Sequence, residues 1–137
     1  SLSRSLCGEI MSNYAKSRGL AGIIIDGCVR DSRGLRTMDF PVYAKGVTPN
    51  GPYKNGPGEM NFPVSFAGIV INPGDIIVGD SDGLLVIDPK YAKEIAEKAK
   101  ATNASEEKQL EGILTGKGWE RPWVDEKLKE VGFEFVD

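Results

Sequence analysis

The stretch Gly22-Ile23-Ile24-Ile25-Asp26-Gly27-Cys28-Val29-Arg30-Asp31 decides the fold class. Gly22 to Asp26 is a short, continuous, β-branched run, the pattern of a strand buried on both faces as in a parallel sheet. The strand is expected to end at Asp26-Gly27, where glycine lets the chain turn and lets a ligand approach the backbone. Upstream, Gly8 to Ser17 predicts a helix, with Ile10, Met11, Tyr14 and Ala15 at helical spacing and Gly19 just past its basic last turn. A helix feeding a buried strand predicts an α/β domain.

Downstream of that stretch, Arg30 to Thr37 is polar and reads as helix or loop, and Pro41 to Lys45 reads as a strand. Gly46 to Pro63, rich in Gly, Pro and Asn, is long for an idle connection. It reads as a lid or subunit contact offering Tyr53, Lys54, Gly58, Glu59 and Asn61, with a solvated loop as the plainer alternative. Val64 to Ile71, Ile76 to Gly79 and Leu84 to Ile87 read as strands of a β-meander wrapped into a small barrel or sandwich. Asn72-Pro73-Gly74-Asp75 and Asp80-Ser81-Asp82-Gly83 supply its turns. The second turn lacks the third acidic position and the closing glutamate of a calcium loop, so it reads as a hairpin turn. Lys90 to about Thr115 is a charged amphipathic helix, with a break offered at Thr102-Asn103-Ala104-Ser105. Pro122 to Val131 predicts a last helix, and Phe133 to Val136 an edge strand. Residues 1–137 are expected to form one domain, with the helical tail from 90 to 137 serving oligomer contacts and Trp119 and Trp123 read as core anchors or an oligomer contact.

The chain has 137 residues, a net charge of −3 and 40% hydrophobic residues. A domain of this size buries about two thirds of its unfolded surface, so it needs no disulfide or metal staple. Scattered basic residues argue against a nucleic-acid footprint. No apolar run approaches the ~20 residues of a membrane span, so no membrane partner is expected. Cys7 and Cys28 are too few for a disulfide scaffold, which predicts a reducing, cytoplasmic setting. Histidine is absent. That removes Ser-His-Asp and Cys-His nucleophile systems and His-ligated zinc, and it leaves oxygen-held metals such as magnesium, manganese or calcium.

The strand end carries the strongest candidate chemistry. Arg30 offers a fixed fork of donors suited to a carboxylate, and Asp31 offers a hard oxygen ligand. A surface ion pair in a turn is the plainer reading of the same two residues. Gly8-Glu9-Ile10-Met11-Ser12 opens a helix, so its unpaired N–H groups suit an anion and Glu9 could hold a metal directly or through water. An acidic residue favoured by the helix dipole is the alternative there.

In combination, Gly8-Glu9-Ile10-Met11, Arg18 to Gly22, Ile25 to Asp31, Pro41 to Gly46, Gly58 to Asn61, Pro63-Val64, Gly68, Pro73 to Asp75 and Asp80 to Gly83 resemble one family. It contains regulator of ribonuclease activity A (RraA) and the pyruvate-forming aldolases for 4-hydroxy-4-methyl-2-oxoglutarate. The likeness runs to about Pro89 and more loosely through the tail. It implies a swivelling β/β/α-type fold, with a small barrel-like sheet flanked by helices. It also implies a homotrimer or hexamer with active sites between subunits. By resemblance, Arg30 binds the pyruvate part and stabilises its enolate, and Asp31 is the direct ligand of Mg2+ or Mn2+. Backbone amides of Gly8, Ile10, Met11 and Ser12 bind the pyruvate carboxylate. Glu9 holds metal-bound water, as does a glutamate from the neighbouring subunit, best matched by Glu106 with Glu107 as rival. The function so implied is a class II pyruvate aldolase that cleaves a 4-hydroxy-2-oxo acid and also decarboxylates oxaloacetate. The alternative is a non-catalytic regulator that inhibits an RNA-degrading enzyme. Two departures stand out. Family members usually carry a further N-terminal region ahead of the segment matching Gly8, and Glu9 stands where many aldolases have aspartate.

Overall fold

Ile23–Val29 (β2) is the central strand of a three-stranded parallel sheet, flanked by Ser5–Cys7 (β1) and Val42–Val47 (β3). The structure is a computed structural model in which residues 2–134 are described. The chain forms two compact units, residues 1–73 and 74–137, divided well ahead of the helical tail expected from residue 90.

In the first unit β2 does not end at Asp26-Gly27. Its register with β3 shifts between Ile25 and Cys28, so Asp26-Gly27 is a bulge inside the strand, and pairing resumes at Cys28↔Gly46 and Val29↔Val47. The reason is burial. Cys28 and Val29 are 3% and 5% exposed and pair with β1 as well, which outweighs the turn preference of Asp-Gly. Glu9–Ser17 (α1) connects β1 to β2, and Ser32–Thr37 (α2) connects β2 to β3. Cys7, Ile25, Val29 and Leu35 form the core, with Ile23, Met38 and Val42 packed against it. The expected strand over Val64 to Ile71 is a hairpin of Val64–Phe66 (β4) and Ile69–Ile71 (β5). Ala67 and Gly68, with φ of 48° and 86°, make the kind of two-residue turn whose twist suits a hairpin. Residues 48–63 form no regular element.

The second unit begins with an antiparallel hairpin, Ile76–Gly79 (β6) and Leu84–Ile87 (β7). A 3-10 turn at Pro89–Tyr91, capped by the Asp88 carboxylate accepting from the Lys90 N–H at 3.0 Å, leads into Ala92–Leu114 (α3). The break expected at Thr102 to Ser105 is absent. These polar side chains are instead absorbed by bonds one turn on, Asn103 to Glu107 at 2.8 Å and Gln109 to Ser105 at 3.4 Å. Pro122–Glu130 (α4) carries proline in its first turn. The edge strand expected at Phe133 to Val136 runs outside the described residues. No described residue of this unit is fully buried. Among the described residues no helix is long and apolar enough to cross a membrane. The class is α/β, with strands hydrogen-bonded in three sheets.

Candidate active site

The three parallel strands end together, and the residues that follow them line one cleft of about 740 Å³. Glu9 comes after β1, Arg30 and Asp31 after β2, and Thr48 and Pro49 after β3. Ligands of open α/β sheets gather outside such strand ends. Ser32, Arg33, Gly34 and Thr37 of α2 and Val47 of β3 complete the wall.

The Arg30 N–H donates to the Cys7 carbonyl at 3.0 Å, which ties the residue to the end of β1. Asp31 follows in the left-handed region, at φ 57° and ψ 36°, a conformation that costs most side chains about 1 kcal/mol or more. Its Oδ2 accepts the Glu9 N–H at 3.2 Å and lies 3.5 Å from the Arg30 Nε. Oδ1 stands outside those two contacts. The Arg30 and Asp31 side chains are 44% and 43% exposed, so as an ion pair alone they would add little stability. Convergence on the start of α1 is what separates them from an ordinary surface pair.

Two glycines make this convergence possible. A Cβ on Gly8 would sit 2.5 Å from the Asp31 Oδ2 and 2.9 Å from the Arg30 Cγ. Gly8 has an extended backbone, φ −148° and ψ −169°, so space rather than conformation requires glycine. On the other side, the Glu9 carboxylate lies against Gly34, where a Cβ would overlap it.

The amide set expected for a carboxylate is narrower than Gly8 to Ser12. Ser12 is fully buried, its N–H bonds the Gly8 carbonyl at 3.0 Å and its Oγ lies 3.4 Å from the Cys7 Sγ, so it offers no free donor. This is the ordinary closing bond of the first helical turn. The Ile10 and Met11 N–H groups make no backbone bond among the described residues. Their side chains border a second, apolar hollow of about 430 Å³ that shares Arg30 and Asp31 with the cleft.

The other expected residues are placed as follows. Glu106 and Glu107 lie on α3, in the second unit, and both are exposed. Glu107 accepts from Asn103, whereas Glu106 makes no hydrogen bond or ion pair among the described residues. In the 46–63 segment, Arg4 lies over the Tyr53 ring at 4.1 Å and donates to the Gly51 carbonyl at 2.9 Å. Ser5 clasps the Asn50 carbonyl at 2.8 Å. Lys54, Gly58, Glu59 and Asn61 are exposed. Asp26 pairs with Lys45, and the Lys45 ammonium, aided by the Ala67 N–H, holds its carboxyl below the usual aspartate value. Sequence reasoning missed the rest of the lining: Ser32, Arg33, Gly34, Thr37, Val47, Thr48 and Pro49. Gly34 left one weak signal, a glycine inside a stretch that reads as helix or loop; the structure places it in α2 without positive φ.

Among the described residues no three His, Cys, Asp or Glu side chains cluster as a metal cage. The cleft holds two carboxylates, Glu9 and Asp31. Such a sparse all-oxygen set fits Mg2+ or Mn2+, which keeps several waters and takes one or two carboxylates.

A family model described as aldolase/RraA, RraA-like, matches residues 1–86. An uncharacterised protein of Methanocaldococcus jannaschii is 43% identical over 109 residues, covering 80% of this chain and 52% of that protein. A protein of Halalkalibacterium halodurans named "Putative 4-hydroxy-4-methyl-2-oxoglutarate aldolase" is 37% identical over 110 residues, with coverage of 80% and 52%. Among solved structures, the RNA-processing inhibitor RraA of Thermus thermophilis superposes with a TM-score of 0.59 at 34% identity, covering 63% of this chain and 52% of that one. The chain spans about half the length of the curated relatives it matches.

Proposed function

This chain belongs to the aldolase/RraA family, and from that premise we propose that it is a divalent-metal-dependent lyase that splits a 4-hydroxy-2-oxo acid by retro-aldol cleavage and releases pyruvate. Oxaloacetate decarboxylation would pass through the same enolate. The observation that carries the reading is the meeting of Arg30, Asp31 and Glu9 in one cleft at the N-terminus of α1. Similarity to a protein named as an aldolase supports it.

In this reading Asp31 is the direct ligand of Mg2+ or Mn2+, with Glu9 held to it through water. The metal, when bound, supplies Lewis-acid polarisation of the 2-oxo group. The amides of Gly8, Ile10 and Met11 bind the substrate carboxylate at the positive end of α1. When the bond between C3 and C4 breaks, its electron pair moves toward the 2-oxo oxygen, and the Arg30 guanidinium stabilises the charge that develops there. Glu9 orients the water that takes the proton from the 4-hydroxyl, and protonation at C3 then gives pyruvate. Residues 1–137 act as one catalytic domain in a cytoplasmic homotrimer or hexamer. The tail from 90 to 137 makes subunit contacts and Glu106 of a neighbouring chain holds further metal-bound water. The exposed Ile10, Met11 and Tyr14 side chains on α1 suit such an assembly.

The test is pyruvate release, coupled to a dehydrogenase, from 4-hydroxy-4-methyl-2-oxoglutarate and from oxaloacetate, with Mg2+ and with chelator. Metal-dependent release is expected, with Arg30→Ala lowering it on the order of 10²- to 10³-fold. Absence of metal-dependent pyruvate from any short 4-hydroxy-2-oxo acid and from oxaloacetate would sink the reading. A second reading, a non-catalytic inhibitor of an RNA-degrading enzyme, is favoured by the 34% identity to a protein known as an RNA-processing inhibitor. Loss of nuclease activity on RNA when this chain is added would support it.

A further inference from the structure

We propose that Gly34 is a positioning residue for Glu9, and that positions 9 and 34 form a size-matched pair. The role assigned to the pair rests on the metal-dependent reading above, but the steric pairing does not. A Cβ built on Gly34 would fall 2.8 Å from the Glu9 Oε1 and closer still to its Cδ and Oε2, so the whole carboxylate occupies the volume a side chain would take. Gly34 lies in a helix without positive φ, where alanine would be the better residue. Something other than backbone conformation therefore favours glycine at this position.

The arrangement is reciprocal. Gly8, at the start of α1, clears space for Asp31, which precedes α2, and Gly34 of α2 clears space for Glu9 of α1. Each carboxylate of the cleft is seated against a glycine of the opposite segment. The atoms that a methyl group at position 34 would strike are the far end of a flexible side chain. The overlap is relieved by Glu9 swinging away, not by backbone movement. Gly34→Ala therefore folds, and it loses the placement of Glu9.

Two measurements on the full chain test this. In the metal-free protein, Tm is compared for the original chain, Gly34→Ala, Glu9→Ala and the double variant. Gly34→Ala should raise Tm more when Glu9 is replaced by alanine than when Glu9 is present, because only then is the helix gain free of the overlap. Equal shifts in the two backgrounds would overturn the pairing. By Mn2+ titration followed by EPR, Gly34→Ala should weaken binding about 10-fold or more, as Glu9→Ala does, with no further loss in the double variant. Glu9→Asp added to Gly34→Ala should regain affinity, since a carboxylate one methylene shorter clears the new methyl group. Gly34→Ala that binds Mn2+ as tightly as the original chain would also overturn the positioning role. Coupled Tm shifts with no Mn2+ binding by any variant would leave the steric pair standing and overturn the metal-dependent reading instead.

Discussion

Asp31 and Asp80 both stand just past the end of a strand, and their carboxylates do opposite things. The Asp80 Oδ1 accepts the N–H groups of Asp82 at 2.8 Å and Gly83 at 3.2 Å, so it is used up within its own hairpin turn. The Asp31 Oδ2 accepts from Glu9, 22 residues earlier in the chain, and its own backbone is left-handed. A carboxylate that closes its own turn serves local structure. One that the sheet delivers to another element is free to serve a ligand.

The largest test of that contrast is in activity. Asp31→Asn keeps a residue type that tolerates the left-handed region and removes the charge, and it should lower kcat/KM for pyruvate release on the order of 10³-fold. Asp80→Asn should change it less than about twofold. Comparable losses in the two variants would end the distinction. The next test is in stability. Gly8→Ala should cost about 1–3 kcal/mol in urea unfolding, because its methyl group meets Asp31 and Arg30. Asp80→Ala should cost about 1 kcal/mol through lost turn bonds, with activity preserved. A Gly8→Ala protein as stable as the original would show that the approach of Asp31 to α1 is loose.

The smallest effect concerns a third aspartate, Asp26, which bonds Lys45 and the Ala67 N–H. Lys45 depresses the Asp26 carboxyl in the folded state. Its contribution to stability is thus present above the ordinary aspartate value of about 3.9 and fades as pH falls through the lower folded value. Lys45→Met should make unfolding, followed by circular dichroism, less sensitive to acid in that window. An unchanged acid profile would remove the ion pair from the account.

What the sequence makes legible follows the range of the interactions. Ile76 to Gly79 and Leu84 to Ile87 are read to the residue, because short apolar runs on either side of a self-bonding Asp-Ser-Asp-Gly turn are local signals. The helix opening after Gly8 is equally plain. Ser5–Cys7 is not legible as a strand, since three residues carry no period and only pairing with β2 makes them one. The bulge at Asp26-Gly27 imitates a strand end for the same reason. At the site, Arg30, Asp31 and Glu9 are legible as residue types. Their meeting is legible only through the family resemblance, because locally it depends on two glycine clearances, each joining residues more than 20 positions apart.

The left-handed backbone at position 31 also narrows what mutation can place there. Glycine, asparagine and aspartate sit at such φ and ψ at low cost, and only the last of these is an anion. Glutamate, the nearest chemical relative, would carry a backbone cost of about 1 kcal/mol or more there. Asparagine keeps the turn and loses the charge, whereas glutamate keeps the charge and strains the turn, so neither neighbour in chemistry matches both properties of Asp31.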